Sequence, residues 1–311
     1  MMPILTVDKL TKKYGNHTVV DRISFTLTAG KCIALIGPNG AGKTTALRMI
    51  TRLIHPTSGK IQFLKENEKE DDRRYIGYLP QHPVFYNWMT GLQFMKYCAE
   101  LTNIPKEDAL QKSERLLDEV GLSEAKHKKI GTYSGGMKQR LGIAQAIIHD
   151  PKLLIMDEPV SALDPIGRRE VLTLMEKLKE KMTILFSTHI LNDADEISDE
   201  LILLHHGKIV ESGSVDTLRK KYRTDKIKLT FEHDHDVYVK EINSVKHVTN
   251  VTKDKDAIYV TVSDITAARA DLLQLVSQQN WSLTSFIVHT ASLEDMFMKV
   301  VNDDAVDDNV S

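Results

Sequence analysis

Residues 37–44 read GPNGAGKT and fit the phosphate-loop pattern G-x-x-x-x-G-K-[ST]. The apolar run KCIALIG precedes this loop and the helical pattern TTALRMITRL follows it, so a buried strand, a Gly-rich loop and a helix come in the required order. Glycines let backbone N–H groups turn toward phosphate oxygens, and the helix N-terminus adds partial positive charge. Lys43 can reach the β- and γ-phosphates of a nucleotide, and the Thr44 hydroxyl can ligate Mg²⁺. The loop therefore predicts an α/β unit that binds a nucleotide.

A second apolar run, KLLIMDEP, ends in the acidic pair Asp157 and Glu158. A phosphate loop requires a carboxylate at the end of another buried strand to hold the Mg²⁺ shell, and Asp157 fits that position. Glu158 follows directly and could polarise an attacking water as a general base. An acidic pair after a strand can also merely cap a helix, but the phosphate loop upstream favours the metal and catalytic roles.

Hydrophobic patterns divide the first 220 residues into three kinds of structure. The segments ILTVDKL and DRISFTLTAG alternate apolar and polar residues around a turn at YGNHT, which predicts an antiparallel hairpin. Residues 82–148 are rich in helical patterns, and Gly121 predicts a helix end. Strands and helices then alternate, which predicts a parallel sheet covered by helices. The predicted fold class is α/β, a P-loop core with an antiparallel β subdomain and a helical subdomain.

The composition changes near residue 220, at the basic connector KKYRTDK. The following segments have the order strand, helix, strand, strand, helix, strand, which predicts a small α+β, ferredoxin-like domain over residues 221–302. Ser292 is predicted to cap a final helix, SLEDMFMKVV, with Asp295 completing a weak capping box. The acidic residues 303–311 predict a disordered tail. In EHDHD, residues 232–236, a solvated turn is favoured over a metal site, and HHGK, residues 205–208, predicts a hairpin turn.

Composition excludes several other classes of protein. The net charge of −2 provides no general attraction for nucleic acid or anionic lipid. The two cysteines, Cys32 and Cys98, form no disulfide framework, and the apolar surroundings of Cys32 predict a buried free thiol in a reducing cytoplasm. The N-terminus lacks the pattern of a signal peptide, and no apolar run approaches the ~18 to 20 residues that span a bilayer. A role at a membrane would therefore require a partner that supplies the spanning helices.

A second Gly-rich turn lies in YSGGMKQR, where residues 134–136, the Ser-Gly-Gly turn, precede a helical pattern. This turn offers another helix N-terminus with free N–H groups, and therefore a second γ-phosphate site. Two phosphate sites in one chain are explained if a nucleotide is held between two copies, one giving the phosphate loop and the other the Ser-Gly-Gly turn. A GTPase is disfavoured because no Asn-Lys-x-Asp motif is present.

In the order and spacing of these motifs, residues 1–220 resemble the nucleotide-binding domain of ATP-binding cassette (ABC) proteins, with its RecA-like core. The resemblance implies ATP and Mg²⁺ as cofactors. It implies nucleotide contacts from the adenine-stacking Tyr14, from the Walker A loop, from the signature motif and from the D-loop. The Walker A loop comprises Gly37, Pro38, Asn39, Gly40, Ala41, Gly42, Lys43, Thr44 and Thr45. The signature motif comprises Ser134, Gly135 and Gly136, and the D-loop contributes Asp164.

The same resemblance assigns metal-binding and catalytic residues. It implies that Thr44, Gln81 and Asp157 contact Mg²⁺, and that Glu158, the switch residue His189 and Gln81 act in hydrolysis. Taken singly, Tyr14 could be a strand aromatic, Gln81 a polar loop residue and His189 a buried histidine. Their occurrence in the family's order favours the functional interpretation.

The Ser-Gly-Gly turn departs from the family's commonest signature at its two flanks. Tyr133 replaces the usual Leu and Met137 the usual Gln. Because Ser134 and both glycines remain, composite sites are expected to form without the polar contact of the Gln. The intact motifs are compatible with two competent sites in a homodimer, and a heterodimer remains open.

The segment HPVFYNWMTGLQFMKYCAE follows Gln81, where the family receives a coupling helix from its membrane subunit. Phe94 and Tyr97 are expected to pack inside the helical subdomain, and Phe85, Tyr86 and Trp88 to face the partner. The single cassette and the small C-terminal domain resemble ATPase subunits of ABC-2-type exporters, which implies a membrane-spanning permease as partner and a place at the cytoplasmic face of the cell membrane. The alternative is a soluble ABC ATPase that acts on ribosomes or DNA, and import is a rival to export.

Overall fold

A computed structural model describes residues 3–63, 71–222, 225–232, 236–254 and 257–289, together with residue 297. The chain divides into two compact units, Met1–Val215 and Asp216–Ser311. The predicted cap at Ser292 with Asp295, most of the final helix and the acidic tail lie outside the described residues. So does the middle of the EHDHD segment.

The strands of the first unit are β1 (Pro3–Tyr14), β2 (His17–Thr28), β3 (Cys32–Ile36), β4 (Ser58–Phe63), β5 (Ile76–Leu79), β6 (Leu153–Asp157), β7 (Thr183–Thr188), β8 (Glu200–His205) and β9 (Lys208–Ser214). Its helices are α1 (Lys43–Ile50), α2 (Gly91–Leu101), α3 (Lys106–Glu119), α4 (Gly135–Ile147), α5 (Pro165–Lys179) and α6 (Leu191–Ile197), and α7 (Val215–Lys221) follows.

Within the described residues, the central sheet has six strands in the order β5-β6-β7-β3-β8-β9. The strands are parallel except for β9, which pairs antiparallel with β8 through the predicted HHGK hairpin. Every residue of β3, β6 and β7 is buried, which is why these strands are continuous apolar runs without alternation. The predicted α/β core is confirmed. The order places β7 beside β3 and β6 beside β7, so the carboxyl ends of these parallel strands lie at the same edge of the sheet as the phosphate loop.

A second sheet of the first unit has the order β2-β1-β4 and is antiparallel. Its apolar face joins α1 and the central strands in one core that includes Leu10, Leu27, Leu47 and Ile155. The predicted hairpin is confirmed, with β1 and β2 each 12 residues long.

The helical part of the unit consists of α2, α3 and α4. Thr90 and Gln93 form a capping box at the start of α2, each accepting a backbone N–H of the other. Gly121 has φ +70° just after α3, a conformation that glycine adopts without strain, and the predicted helix end is confirmed.

Both cysteines are buried free thiols, and burial raises their pKa values to about 12 for Cys32 and about 11 for Cys98. At pH 8 only about one in 10³ to 10⁴ of these groups is the reactive thiolate. We therefore expect the folded protein to resist iodoacetamide at pH 8, measured by intact mass, while urea-unfolded protein is alkylated at both positions. Rapid labelling of the folded chain would contradict this expectation.

The second unit contains β10 (Lys226–Phe231), α8 (Asp236–Asn243), β11 (Val248–Asp254), β12 (Ala257–Val262), α9 (Ile265–Gln278) and β13 (Leu283–His289). The described strands form one antiparallel sheet in the order β11-β12-β10-β13. This is the predicted ferredoxin-like arrangement, with the two central strands alternating buried and half-buried residues. Its core includes Ile227, Val260 and Leu272.

Among the residues that the structure describes, no helix combines the length and the apolar character needed to cross a membrane.

Candidate functional site

The phosphate loop connects β3 to α1 and is shaped by two glycines. Gly42 has φ +102°, and a Cβ there would lie 2.6 Å from the Val19 carbonyl oxygen. A Cβ at Gly37 would lie 2.2 Å from the Leu204 carbonyl oxygen. Neither position has room for a side chain, so the loop can adopt this path only with glycine at both.

Lys43 is the first residue of α1 and is only 6% exposed. Its Nζ donates hydrogen bonds to the carbonyl oxygens of Gly37, at 2.7 Å, and Pro38, at 3.2 Å. The same ammonium lies 3.4 Å from Oε1 of Glu158, which is also 6% exposed. A buried ammonium is thus fixed at the start of the helix, where phosphate oxygens would be held.

Asp157 ends β6 and lies opposite Ser187 of β7 in the parallel register. Its Oδ1 accepts hydrogen bonds from Ser187 Oγ, at 2.7 Å, and from Thr44 Oγ1, at 3.1 Å. Its Oδ2 is buried and has no hydrogen-bond partner within the described residues. A carboxylate oxygen left unpaired beside a threonine hydroxyl suits a hard divalent cation such as Mg²⁺, which prefers oxygen ligands.

Glu158 follows with φ +50°, a left-handed conformation that is uncommon for a residue with a side chain. Its backbone N–H donates to Ser187 Oγ at 2.9 Å and so holds the turn in place. The turn directs the carboxylate between Lys43 and the imidazole of His189. Backbone strain of this kind concentrates where side-chain placement serves function.

His189 follows β7, and its Nδ1 lies 2.7 Å from Oε2 of Glu158. A carboxylate only accepts hydrogen bonds, so Nδ1 carries the proton and Nε2 remains available to another partner. Glu158 thereby has a fixed partner on each carboxylate oxygen, Lys43 on one and His189 on the other.

A cavity of about 380 Å³ lies beside the phosphate loop, with Lys43 and Glu158 in its wall. Its lining comprises Val19, Asn39, Gly40, Ala41, Gly42, Lys43, Thr44, Thr45, Gln81 and Glu158. Gln81 thus lines the same cavity as the phosphate loop. Tyr14 lies at the end of β1, 53% exposed, with Lys12 Nζ 5.0 Å from its ring centroid. In the described part of the chain, this lining includes neither Tyr14 nor the Ser-Gly-Gly turn.

The Ser-Gly-Gly turn starts α4 and is largely exposed. Ser134 is the N-cap, and its Oγ accepts the Met137 N–H at 3.2 Å. A Cβ at Gly136 would lie 3.3 Å from the Gly167 Cα, so the start of α4 packs closely on the first turn of α5. Asp164 is the N-cap of that helix and accepts the Gly167 N–H at 3.2 Å. The Ser134 hydroxyl and the D-loop carboxylate thus both cap helices.

Sequence reasoning missed Ser187, Arg168 and Asp193. One signal for Ser187 was present in the sequence. The strands that end in MDE and FSTH are neighbours in a parallel sheet, which brings their carboxyl ends together. Asp193 is 1% exposed and accepts a hydrogen bond from Arg168 Nε at 2.8 Å. It lies on α6, which begins two residues after His189, whereas Arg168 lies on α5 after Asp164.

Ser187→Ala is expected to lower the free energy of unfolding by about 1–2 kcal/mol, because it removes a buried hydroxyl that bridges Asp157 and the Glu158 backbone. Urea unfolding followed by circular dichroism measures this loss. Ser24 offers a matched control, since its exposed hydroxyl also accepts a backbone N–H, that of Lys9, at 2.8 Å. An equal loss in Ser24→Ala and Ser187→Ala would argue against a special role for the buried bridge.

The phosphate loop, the acidic pair and the capped Ser-Gly-Gly turn lie in a chain that matches known protein families. The family model "ABC transporter" matches residues 20–161, and "ATP-binding protein DrrA1-3-like, C-terminal domain" matches residues 213–301. The uncharacterized ABC transporter ATP-binding protein YxlF of Bacillus subtilis (strain 168) is 44% identical over 299 residues, which cover 96% of this chain and all of that protein. The chain belongs to the ABC transporter ATP-binding proteins.

Two further relatives extend this assignment. The bacitracin transport ATP-binding protein BcrA of Enterococcus faecalis is 34% identical over 96% of this chain and 96% of its own length. A crystal structure of the ADP conformation of an ATP-binding cassette superimposes with a TM-score of 0.63 and 26% identity, covering 70% of this chain and 93% of the other. This chain is therefore an ABC ATPase with a nucleotide-binding cassette, the ATP-binding subunit of a transporter. Such subunits pair with membrane permeases.

Proposed function

We propose that this ABC ATPase hydrolyses Mg²⁺-ATP in the cavity of its phosphate loop, with Glu158 as the general base. The observation that carries the proposal is the placement of the Glu158 carboxylate, which is buried and held between Lys43 and His189 at the cavity wall. A general base needs a fixed position within reach of a water molecule that attacks the γ-phosphate. Gln81, on the same cavity, is suited to orient that water.

Each residue of the loop has a distinct part in this mechanism. The backbone N–H groups and Lys43 bind the β- and γ-phosphates and stabilise the charge that develops as the terminal bond breaks. Thr44 and Asp157 would hold Mg²⁺, which supplies charge neutralisation and orients the phosphate oxygens. His189 donates from Nδ1 to Glu158 and keeps the carboxylate aligned.

We further propose that the site is completed by a second copy of the cassette. Ser134 and Gly135 are exposed at the start of α4, and the free N–H groups of the turn suit the γ-phosphate of a nucleotide bound to another copy. Tyr14 would stack on adenine, and Asp164 would lie at the contact between copies. ATP then joins the two copies and hydrolysis separates them, which supplies a cycle of closing and opening.

The partner driven by this cycle is proposed to be a separate membrane-spanning permease, with export as the direction. The DrrA-like C-terminal domain and the relation to a bacitracin transport protein support this proposal. Bacitracin or a similar compound is the cargo that this relation favours. The cassette would act at the cytoplasmic face of the cell membrane, attached through its permease.

The exposed aromatic loop, residues 84–88, supports a permease contact. Val84, Tyr86 and Trp88 are 89%, 48% and 69% exposed, whereas Phe85 is half-buried against Phe94 at a centroid distance of 5.2 Å. Phe94 is buried as expected. Tyr97 was expected inside, which is wrong: it is 40% exposed and lies edge-on against Tyr86, because it occupies the outer face of α2.

A pull-down from the native cell tests the permease proposal. Tagged Glu158→Gln protein, purified from detergent-solubilised membranes with ATP and Mg²⁺, is expected to bring down one multi-span membrane protein in stoichiometric amount. The Lys43→Met variant, which lacks the phosphate-binding ammonium, provides the control for ATP dependence. Recovery of ribosomes or nucleic acid alone would contradict a transport role.

A further inference from the structure

The aromatic loop is joined to the segment that leads into the Ser-Gly-Gly turn by a ladder of backbone hydrogen bonds. The Gly131 N–H donates to the Asn87 carbonyl at 3.0 Å, and the Ile130 N–H donates to the Met89 carbonyl at 2.9 Å. On the other side of Thr90, the Leu92 N–H donates to the Lys126 carbonyl at 2.9 Å. The loop and the 126–131 segment therefore form one small unit and are expected to move together.

Tyr133 lies between this ladder and the Ser-Gly-Gly turn. It is 5% exposed, and its hydroxyl donates a hydrogen bond of 2.7 Å to the Ala125 carbonyl. Burial raises the pKa of Tyr133, and a hydrogen bond from the Gly91 backbone acts in the opposite direction. The phenol is therefore a neutral group that donates to Ala125 inside the protein, with the Gly91 backbone beside its oxygen.

The contact with Gly91 is so close that any side chain there would displace the Tyr133 hydroxyl. A Cβ built at Gly91 would lie 2.3 Å from the Tyr133 oxygen and 3.3 Å from its ring carbon Cζ. Gly91 is the first residue of α2 and follows the aromatic loop after only two residues. Tyr133 therefore reaches the C-terminal end of the aromatic loop, and Gly91 leaves space for its hydroxyl oxygen.

The next residue after Tyr133 is Ser134, whose Oγ caps α4. One side chain therefore connects the start of α2, the end of the short 3-10 helix Ser123–Ala125 and the start of α4. A leucine at this position, the commoner residue in the family, could fill the space but could not make the hydrogen bond to Ala125.

We propose that Tyr133 is a positioning residue whose hydroxyl couples the aromatic loop to the Ser-Gly-Gly turn, so that ATP bound at the turn of one copy repositions the surface offered to the permease. This inference rests on the proposed ATP-driven pairing of two cassettes. The hydroxyl acts through the Gly91 and Ala125 contacts, and Tyr133 is buried and is not among the described residues that line the phosphate-loop cavity.

Trp88 in the aromatic loop provides a direct reporter. The sequence has two tryptophans, so Trp281→Phe leaves Trp88 as the single fluorophore. Trp281 lies in the second unit, stacked on Tyr238 at 4.2 Å, and phenylalanine keeps a ring in that stack. The parent for the test is the full chain with Trp281→Phe and Glu158→Gln, which is expected to bind ATP without turning it over.

In this parent, ATP with Mg²⁺ is expected to shift the Trp88 emission as the copies pair, with pairing measured separately by light scattering. Tyr133→Phe is expected to reduce the amplitude of the Trp88 signal by more than about half, while pairing is retained, because only the hydrogen-bonded link is lost. Tyr97→Phe is the matched control, since it removes an exposed hydroxyl from the same aromatic cluster, and a full signal is expected.

Gly91→Ala gives a second test through the same contact. Its methyl group displaces the Tyr133 oxygen, so it is expected to reduce the Trp88 signal as Tyr133→Phe does. The variant with both Gly91→Ala and Tyr133→Phe is expected to keep the same Trp88 signal amplitude as either single variant, because both substitutions act on one contact.

A full Trp88 emission change in Tyr133→Phe would overturn the inference. So would a parent whose copies pair when ATP is added while the Trp88 emission does not change. Failure of the parent to pair at all would instead refute the proposed function, and the inference with it.

Discussion

Replacing Glu158 by Gln is expected to lower kcat for ATP hydrolysis by about 10²–10⁴-fold, the range typical for loss of a general base. The amide keeps the size of the side chain; its oxygen can still accept from Lys43 and its NH2 can donate to His189 Nδ1 in the other tautomer, so the fold and the cavity are preserved. It cannot accept a proton from the attacking water. ATP affinity is expected to stay within about threefold of the parent, because the phosphate contacts come from the loop and Lys43.

Phosphate release by the purified chain and binding of a fluorescent ATP analogue measure the two quantities. Glu196→Gln is the matched control, because Glu196 is an exposed carboxylate that pairs with Arg169 away from the cavity. Its kcat is expected to be unchanged. If Glu158→Gln hydrolysed ATP at a similar rate, another group would have to be the base and the assignment would fail.

Arg168→Met is expected to lower the free energy of unfolding by about 2–3 kcal/mol, because Asp193 is 1% exposed and loses its charged partner. The estimate is at the low end for a buried pair, since the Arg168 side chain is 34% exposed. Asp193 Oδ2 already lacks a partner within the described residues, so little else can compensate. The buried carboxylate is then left without a counter-charge.

The loss of unfolding free energy caused by Arg168→Met is expected to depend on pH. Burial raises the pKa of Asp193, and the hydrogen bond and charge of Arg168 oppose that rise. Without the guanidinium the pKa rises further, and a carboxyl whose folded-state pKa is raised stabilises the fold at low pH and loses this contribution as pH rises. The difference between Arg168→Met and the parent is therefore expected to be small near pH 4 and larger at pH 8.

Urea unfolding at both pH values measures this difference. Arg169→Met is the matched control, since Arg169 and Glu196 form an ion pair between the same two helices with 65% and 38% of their side chains exposed. We expect it to cost less than about 0.5 kcal/mol at either pH. Equal losses in the two variants would mean that the buried pair has no special importance for the contact between α5 and α6.

The core of the fold could be predicted from the sequence because each central strand is a short apolar run followed by a residue of distinct chemistry. CIALIG before the phosphate loop and LLIMDE before the catalytic turn both fix a strand and its end. The second unit was predictable for a similar reason, since β10 and β12 alternate buried and half-buried residues and Asp264 caps α9. The local sequence pattern is sufficient to predict a strand or helix when its two faces differ in burial.

The parts of the site that were missed depend on contacts between distant segments. Ser187 gains its importance only because β7 pairs with β6, which brings its hydroxyl to 2.7 Å from Asp157. Arg168 and Asp193 are separated by 25 residues and meet because α5 and α6 pack together. The positive φ of Glu158 has no sequence signal, since it is not a glycine. Tyr97 was placed on the wrong side because its helix has aromatic residues on both faces.

The central claim, that each hydrolytic site combines the phosphate loop of one copy with the Ser-Gly-Gly turn of another, can be tested by mixing two inactive variants. Lys43→Met removes the phosphate-binding ammonium. Gly135→Asp places an acidic group at the proposed γ-phosphate contact. A Cβ at Gly135 would lie 3.6 Å from its nearest neighbour, Leu163 Cδ2, so the fold has room for the substitution, and Gly135→Ala is the control for added bulk.

Each variant alone is expected to be inactive, whereas an equimolar mixture regains up to about a quarter of the parent's ATPase activity, because half of random pairs are mixed and each has one intact site of two. In such a pair, the Gly135→Asp copy supplies the phosphate loop and the Lys43→Met copy supplies the turn. A mixture no more active than its two components would contradict the shared site.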